Sequence, residues 1–319
     1  MAAGDSITVC AIVKDERRYL IEWVAYYRLL GFDRLVLYSN DCSDGTDRLL
    51  DAMQTAGLVE HRSWPSRPGQ PPQQSAYADA LARCDTRWIL FVDADEFLRL
   101  IEDRDVHQFI ARLAPDVSAV AISWRIFGSS GLADYEPAPV MERFTRAAPR
   151  DHPINRHVKT MAVAADVAAM PNAHGVILAR GRYVMPNGVE ITLERDAFVR
   201  PRYRIAQINH YVVKSRAEFE EKKRRGNVTL PLELRDETTV RDEAFFQFHD
   251  RNEEEFREIQ NRLNEVKAAM KRIRQTVLAI DPALAPLLRA DHRRGRLRYL
   301  ARRASDWLRR RVTPHRAQE

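Results

Sequence analysis

The first hundred residues alternate short apolar runs with amphipathic stretches. Residues 7–13 form an apolar run, which reads as a strand. Leu20, Trp23, Val24 and Tyr27 recur at helical spacing, and Gly31 ends that helix. A second short apolar strand is expected over 34–38. A polar turn follows at 40–45, and Thr46 or Asp47 is placed to cap a helix carrying Leu49, Leu50 and Met53. A third strand is expected at 58–62, a Pro-rich loop at 65–72 and a helix over 75–84. Residues 88–92 are apolar without a break. Repeating strand–helix units of this kind predict an α/β fold with a mostly parallel, doubly wound sheet. Beyond residue 100 the pattern predicts a helix at 106–113, a long strand at 117–126, short β-like pieces to 210, a charged helix at 215–225 and one or two long helices over 237–279.

The run at 88–92 stops at Asp93 and Asp95. A strand buried on both faces carries such unbroken apolar residues, and ligands of open α/β sheets sit at the carboxyl ends of those strands. Residues two apart on an extended chain face the same side, so both carboxylates are expected to point into one site. Such a pair can hold a divalent cation, and the cation a diphosphate. The plain alternative is an acidic turn that caps the next helix.

Composition narrows the class without deciding it. The chain has 319 residues, 45% of them hydrophobic and 30% charged, which suits one large α/β domain with an appendage. The apolar runs are far shorter than a membrane span needs, and the start is a poor secretion signal. Cys10, Cys42 and Cys84 form no CxxC pair, so neither a disulfide framework nor a zinc knuckle is expected, and a reducing cytoplasmic setting fits. The net charge of +6 is concentrated: residues 289–316 hold eleven arginines and two aspartates, leaving the rest of the chain mildly acidic. Leu297, Leu300, Ala304, Trp307 and Leu308 fall on one helical face there. That face suits either an anionic membrane surface, on the inner side of the plasma membrane, or docking on the protein itself. Nucleic acid is disfavoured as a partner, because no recognition motif accompanies the charge.

Several pieces together carry a resemblance. Lys14-Asp15-Glu16 follows the first strand and Glu22-Trp23 sits in the next helix. Asn40, Ser43, Asp44 and Thr46 follow the second strand, and Asp93-Ala94-Asp95-Glu96-Phe97 the fourth. Trp124 precedes Phe127-Gly128-Ser129-Ser130-Gly131. Asn209-His210-Tyr211, Lys214-Ser215, Glu218-Phe219, Lys222 and Arg225-Gly226 close the set. Over residues 7–227 this resembles the family-two-like glycosyltransferases of the GT-A fold, the group with bacterial capsule and exopolysaccharide enzymes and an animal galactosyltransferase family. One departure is Ala78, where an asparagine is expected after Tyr77, which leaves the role of 74–77 open.

The resemblance implies a GT-A domain over 1–230, with a nucleotide-sugar half at about 1–100 and an acceptor half at about 101–230, followed by a helical extension over 231–319. It implies inverting transfer from a nucleotide diphosphate sugar, a UDP-sugar, to a glycan or lipid-linked acceptor, with Mn2+ or Mg2+ stabilising the leaving diphosphate. Asp95 is then the direct metal ligand, Asp93 a ribose or water-mediated metal contact, and His210 a ligand from the other side. The donor is expected to meet Lys14, Asp15, Glu16, Asn40, Asp44, Asp93, Lys159, Lys214 and Arg225, with Lys222 beside the phosphates. Trp124, Phe127 and Ser129 are expected at the acceptor. Inversion needs a general base; Asp134, Glu136, Asp196 and Glu96 are available, with Glu136 preferred because it follows the glycine turn.

Two other readings remain at this point. A haloacid-dehalogenase-type phosphatase also places DxD after an apolar strand, but normally in its first strand and with Thr or Val where this chain has Phe97. A basic membrane- or RNA-binding adaptor with an inactive enzyme-like body would not need Asp93 and Asp95.

Overall fold

A computed structural model describes residues 6–192, 198–226, 228–229, 241–256 and 262–289. The N-terminal half is the expected alternation: β1 (Ile7–Val13), α1 (Arg17–Leu29), β2 (Arg34–Ser39), α2 (Thr46–Thr55), β3 (Glu60–Ser63), α3 (Pro72–Ala82) and β4 (Trp88–Phe91). The four strands are parallel in the order β3-β2-β1-β4. Their apolar residues split by the two-residue period of a strand. Val9, Ala11 and Val13 face the core beneath α1 and α2. Cys10 and Ile12 face the other way, with Val36, Tyr38, Ile89 and Phe91, onto Ala76, Tyr77 and Ala80 of α3. Burial on both faces explains why β1, β2 and β4 read as largely apolar runs, while the edge strand β3 is polar.

The sheet continues as β4-β8-β6-β12-β5, with β5 at Glu96–Leu100, β6 at Val117–Ile126, β8 at Val158–Val163 and β12 at Ala206–His210. β8 is antiparallel to both β4 and β6, β12 is parallel to β6, and β5 is antiparallel to β12. β11 (Arg182–Val184) adds a parallel strand to the start of β6. The mostly parallel, helix-flanked α/β architecture expected from the sequence is therefore the one observed.

Only residues 92–95 join β4 to β5, yet three strands lie between them in the sheet. A flat sheet would separate the two by roughly 19 Å, at about 4.8 Å per strand. The linking chain reaches at most about 17 Å. The sheet therefore curls, and residues 92–95 bridge the mouth of the curl. This corrects the sequence reading in one respect. The strand stops at Phe91, and Asp93 and Asp95 lie on a turn rather than on one pleat, so strand alternation is not what brings them together.

Shorter elements complete the described residues: α4 (Val106–Ala111), α5 (Val140–Arg143), β7 (Arg146–Ala147), β9 (Val167–Ala169), β10 (Ile177–Leu178), α6 (Arg216–Arg224), α7 (Glu243–His249), β13 (Glu254–Glu255) and α8 (Leu263–Ile280). Ser215 and Glu218 form a capping box at α6. Thr46 does not cap α2. The cap position is Gly45, and Thr46 Oγ1 instead accepts from the Glu16 amide at 3.0 Å, tying the loop after β1 to α2. The stretch expected as one or two long helices over 237–279 contains α7, the short β13 and α8 where it is described. Val266, Ala269, Ile273 and Val277 of α8 enter the same core as α1. Among the described residues no helix is long and apolar enough to cross a membrane. Apart from Arg289, the basic segment 289–316 lies outside them.

Candidate active site

The turn at 92–95 places its two aspartates against different walls of one cavity of about 150 Å3, lined by Lys14, Glu16, Gln73, Asp93, Asp95, His210, Lys222, Arg225 and Arg241 among others. Asp93 faces the α3 and β8 side. Its Oδ1 accepts from Gln73 Nε2 at 2.7 Å and Tyr77 Oη at 3.3 Å, and its Oδ2 from Lys159 Nζ at 3.0 Å. Lys159 is fully buried and also lies 3.4 Å from Glu96. Burial pulls the Asp93 carboxyl up, but Lys159 outweighs it and the group is held below the usual carboxylate range. Glu96, fully buried, is pushed up to about 7 by burial despite the same lysine.

Asp95 faces the other wall. Its Oδ1 lies 3.5 Å from His210 Nε2, and its Oδ2 accepts from Lys222, whose ammonium also donates to the Val212 carbonyl at 2.9 Å. Burial and the basic residues around it lower Lys222 to about 8, with Asp95 opposing. His210 ends β12, Lys222 sits on α6, and the 92–95 turn faces both across the mouth of the curled sheet.

The donor set suits a Mg2+- or Mn2+-type ion. Asp95 Oδ1 and His210 Nε2 are separated by about the distance expected of neighbouring ligands on one metal. No group of three or more His, Cys, Asp or Glu able to hold a metal occurs among the described residues.

A larger cavity, about 360 Å3, adjoins the first through Glu16, Lys222 and Arg225. Asp15, Ser43, Asp44, Tyr19 and Lys214 also line it. Asp15 has a left-handed backbone and its Oδ1 accepts from the Ser43 and Asp44 amides at 2.6 and 3.1 Å. Arg225 donates to the Asp15 carbonyl at 2.8 Å and to the Glu16 carboxylate, bolting α6 to the loop after β1. Lys214 Nζ sits 4.4 Å above the Tyr19 ring. Lys14 reaches the Asp41 carbonyl at 3.2 Å.

The remaining expected residues fall elsewhere. Asn40 is fully buried and donates to the Trp64 carbonyl and Ser66, holding a loop. The Trp124 ring packs 4.4 Å from that of His210. Phe127 is core, packed on Tyr211, and the Ser129 amide donates to Asp250; neither lines the two cavities. Glu136 lies in the loop before α5 and lines neither of them. Asp196 lies outside the described residues. Sequence reasoning missed Gln73 and Arg241. A lone polar residue at a helix start and an arginine in an irregular stretch carry no pattern that marks them.

A profile of glycosyltransferase family 92 matches residues 5–266. A glycosyltransferase family 92 protein of Oryza sativa subsp. japonica is 27% identical over 154 residues, 46% of this chain and 26% of its own length. One from Ricinus communis is 26% identical over 130 residues, covering 39% of this chain and 23% of its own. The chain thus spans about a quarter of the length of the curated relatives it matches. Among solved structures, glucosyl-3-phosphoglycerate synthase from Mycobacterium tuberculosis, in complex with Mn2+, UDP and glucosyl-3-phosphoglycerate, is 17% identical with a TM-score of 0.33, covering 60% of this chain and 73% of its own. A mannosyltransferase from Pyrobaculum calidifontis, in complex with GDP-Man and Mn2+, is 18% identical with a TM-score of 0.31, covering 37% of this chain and 35% of its own. The glycosyltransferase expected from the sequence is supported by the family match, which does not itself confirm the family-two-like assignment. On the match across residues 5–266, the chain belongs to glycosyltransferase family 92.

Proposed function

We propose that the chain transfers a sugar, with inversion, from a UDP-sugar to a hydroxyl of a glycan or lipid-linked acceptor. The observation that carries this reading is the pairing of a two-donor cation seat, Asp95 Oδ1 and His210 Nε2 at 3.5 Å, with a wall of cations (Lys14, Lys222, Arg225 and Arg241) on one small cavity. That combination suits a diphosphate, which needs positive charge on both of its faces. A bound divalent cation would draw electron density from the leaving diphosphate.

The chain's own residues do the rest. Asp95 and His210 would hold the cation. Gln73, Tyr77 and Lys159 fix Asp93, leaving it an acceptor for a ribose hydroxyl or a metal-bound water. Lys222 and Arg225 grip phosphate oxygens, and Asp15 and Asp44 on the adjoining cavity present polar edges to the nucleoside. Trp124, buried, packs behind His210 and supports that ring. Glu136 remains the proposed proton acceptor, in the loop before α5 and outside the lining of both cavities.

The test is a thermal-shift and calorimetric screen of UDP, GDP, CDP and their sugars with and without Mn2+. A Mn2+-dependent shift with one nucleotide, followed by release of that nucleotide when acceptor glycans are added, is the expected result. Absence of any nucleotide binding would overturn the reading.

A further inference from the structure

A second cleft, of about 580 Å3, is lined by Arg150, Asp151, Arg156, Phe198, Val199, Arg200, Pro201 and Tyr203. Two observations set it apart. Several surface arginines carry carboxylate partners, Arg34 with Glu60 and Asp85, Arg112 with Glu102 and Asp103, Arg182 with Asp116, whereas three without one gather on this cleft. The side chains of Arg150, Arg156 and Arg200 make no hydrogen bond or ion pair among the described residues. Phe198 presents its ring beside them at 53% exposure, a large apolar surface left in water.

The cleft is also joined to the candidate active site by a run of packed rings. Phe198 lies 4.4 Å from His157, His157 4.7 Å from Trp124, and Trp124 4.4 Å from His210. The backbone holds this run together: His157 and Phe198 form an antiparallel bridge, Val199 N donates to the Arg156 carbonyl at 2.9 Å, and Tyr203 Oη donates to the Trp124 carbonyl at 2.7 Å.

We propose that this cleft is a distal acceptor subsite for an acidic carbohydrate. The proposal rests on the transferase reading above and names the chemistry of its acceptor. Guanidinium groups take carboxylate or sulfate groups in forked pairs, and an exposed aromatic face stacks on the apolar face of a sugar ring. The volume suits a di- or trisaccharide. Bound there, the acidic stretch of an acceptor pairs with the arginines and stacks on Phe198, the outermost ring of the packed run that ends at His210. An anionic lipid headgroup would satisfy the arginines but would leave Phe198 and the ring wall without a role.

The experiment uses the full chain at physiological salt with four probes: tetragalacturonate, its methyl ester (the same rings without charge), a chondroitin sulfate tetrasaccharide, and phosphatidylserine vesicles. UDP with Mn2+ is titrated separately. At least one acidic oligosaccharide is expected to bind, the methyl ester at least tenfold more weakly than tetragalacturonate. The double variant R156Q/R200Q and, separately, Phe198→Ala should each lose tenfold or more for the acidic probe, with unchanged melting temperature and unchanged UDP–Mn2+ binding. Binding of neither acidic oligosaccharide, equal binding of the ester and the acid, full affinity in the variants, or arginine-dependent binding to vesicles alone would each overturn the proposal. If UDP–Mn2+ binds but no acidic oligosaccharide does, only this inference fails. If the oligosaccharide binds through Arg156 and Arg200 while no nucleotide does, the transferase reading fails and the cleft stands as a carbohydrate site.

Discussion

The ammonium of Lys222 is hydrogen-bonded to the Asp95 oxygen that faces away from His210. A tethered cation therefore already compensates the carboxylate proposed as metal ligand. Removing it should have two opposite effects. Lys222→Ala leaves Asp95 without its cation, so donor-free protein should take up Mn2+ more tightly. The same variant loses a phosphate grip, and a hydrogen bond to a charged group contributes about 1.5–3 kcal/mol. Nucleotide diphosphate binding at saturating Mn2+ should weaken roughly tenfold to a hundredfold. Titration of free Mn2+ by electron paramagnetic resonance, with calorimetry of UDP, separates the two. Unchanged Mn2+ affinity would show that Lys222 does not compete for Asp95.

Asp95→Asn keeps the side chain's size and removes its charge. Sugar transfer should fall by at least about a hundredfold, on the scale of losing one electrostatic stabiliser of the leaving group. The melting temperature should fall, because despite burial Lys222 and His210 hold the Asp95 carboxyl well below the usual range and the variant strands the buried Lys222 ammonium. Turnover near that of the parent chain would rule Asp95 out as the metal ligand.

Arg143 and Glu218 form an ion pair with side chains only 2% and 1% exposed, and Glu218 also accepts from Tyr19 Oη and Ser215 Oγ. Removing one partner of such a pair strands the other charge and costs about 3–5 kcal/mol. Arg143→Met should lower the urea midpoint accordingly; a loss under about 1 kcal/mol would contradict the buried pairing. Burial raises the Glu218 carboxyl, but Arg143 and Ser215 outweigh it and bring the group down to about 2. A folded-state value below the unfolded one near 4.5 stabilises the fold above that pH. That stabilisation, about 3 kcal/mol, is lost as pH falls from about 4.5 towards 2.

The parallel half of the fold was readable because β1, β2 and β4 are buried on both faces, so local composition and final environment agree there; the edge strand β3, Glu60–Ser63, is polar and half-buried. The turn at 92–95 was readable in its residues and not in its shape. Its course is set by β5 pairing with β12, more than a hundred residues downstream, and no local pattern encodes that pairing. The glycine turn after Trp124 shows the same limit. Read alone, it suggests room for an acceptor. A Cβ on Gly128 would sit 2.5 Å from the Arg251 carbonyl oxygen and 2.6 Å from Asn252 Oδ1, so the glycine admits a later stretch of the same chain. Gly128→Ala should therefore destabilise the fold by about 1–3 kcal/mol, the usual cost of overpacking, before it touches any acceptor. A urea titration would show this.

Glu22 lies within α1, is only 3% exposed, and accepts from the Val140 and Met141 amides at 2.7 and 3.1 Å, which cap the short helix α5. Burial pushes its carboxyl up to about 7, with the two amides and Arg143 opposing. The sign is opposite to that of Glu218. A folded-state value above the unfolded one means the native chain holds the proton more tightly. Its stabilisation is fully present below about pH 4.5 and declines as pH rises to about 7, by up to about 3 kcal/mol. Glu22→Gln keeps an uncharged acceptor at the same place and removes the titration. Between pH 5 and 8 the variant's urea midpoint should therefore fall less steeply than that of the parent chain, since among the described residues only Glu96 keeps a raised carboxyl in that range, and the two curves should converge at the acidic end. The same substitution leaves the Glu218 transition below pH 4.5 in place, so acid unfolding of the two proteins should coincide. Parallel curves for parent and variant between pH 5 and 8 would mean that Glu22 is ionised throughout, held by the α5 amides and by Arg143 against its burial.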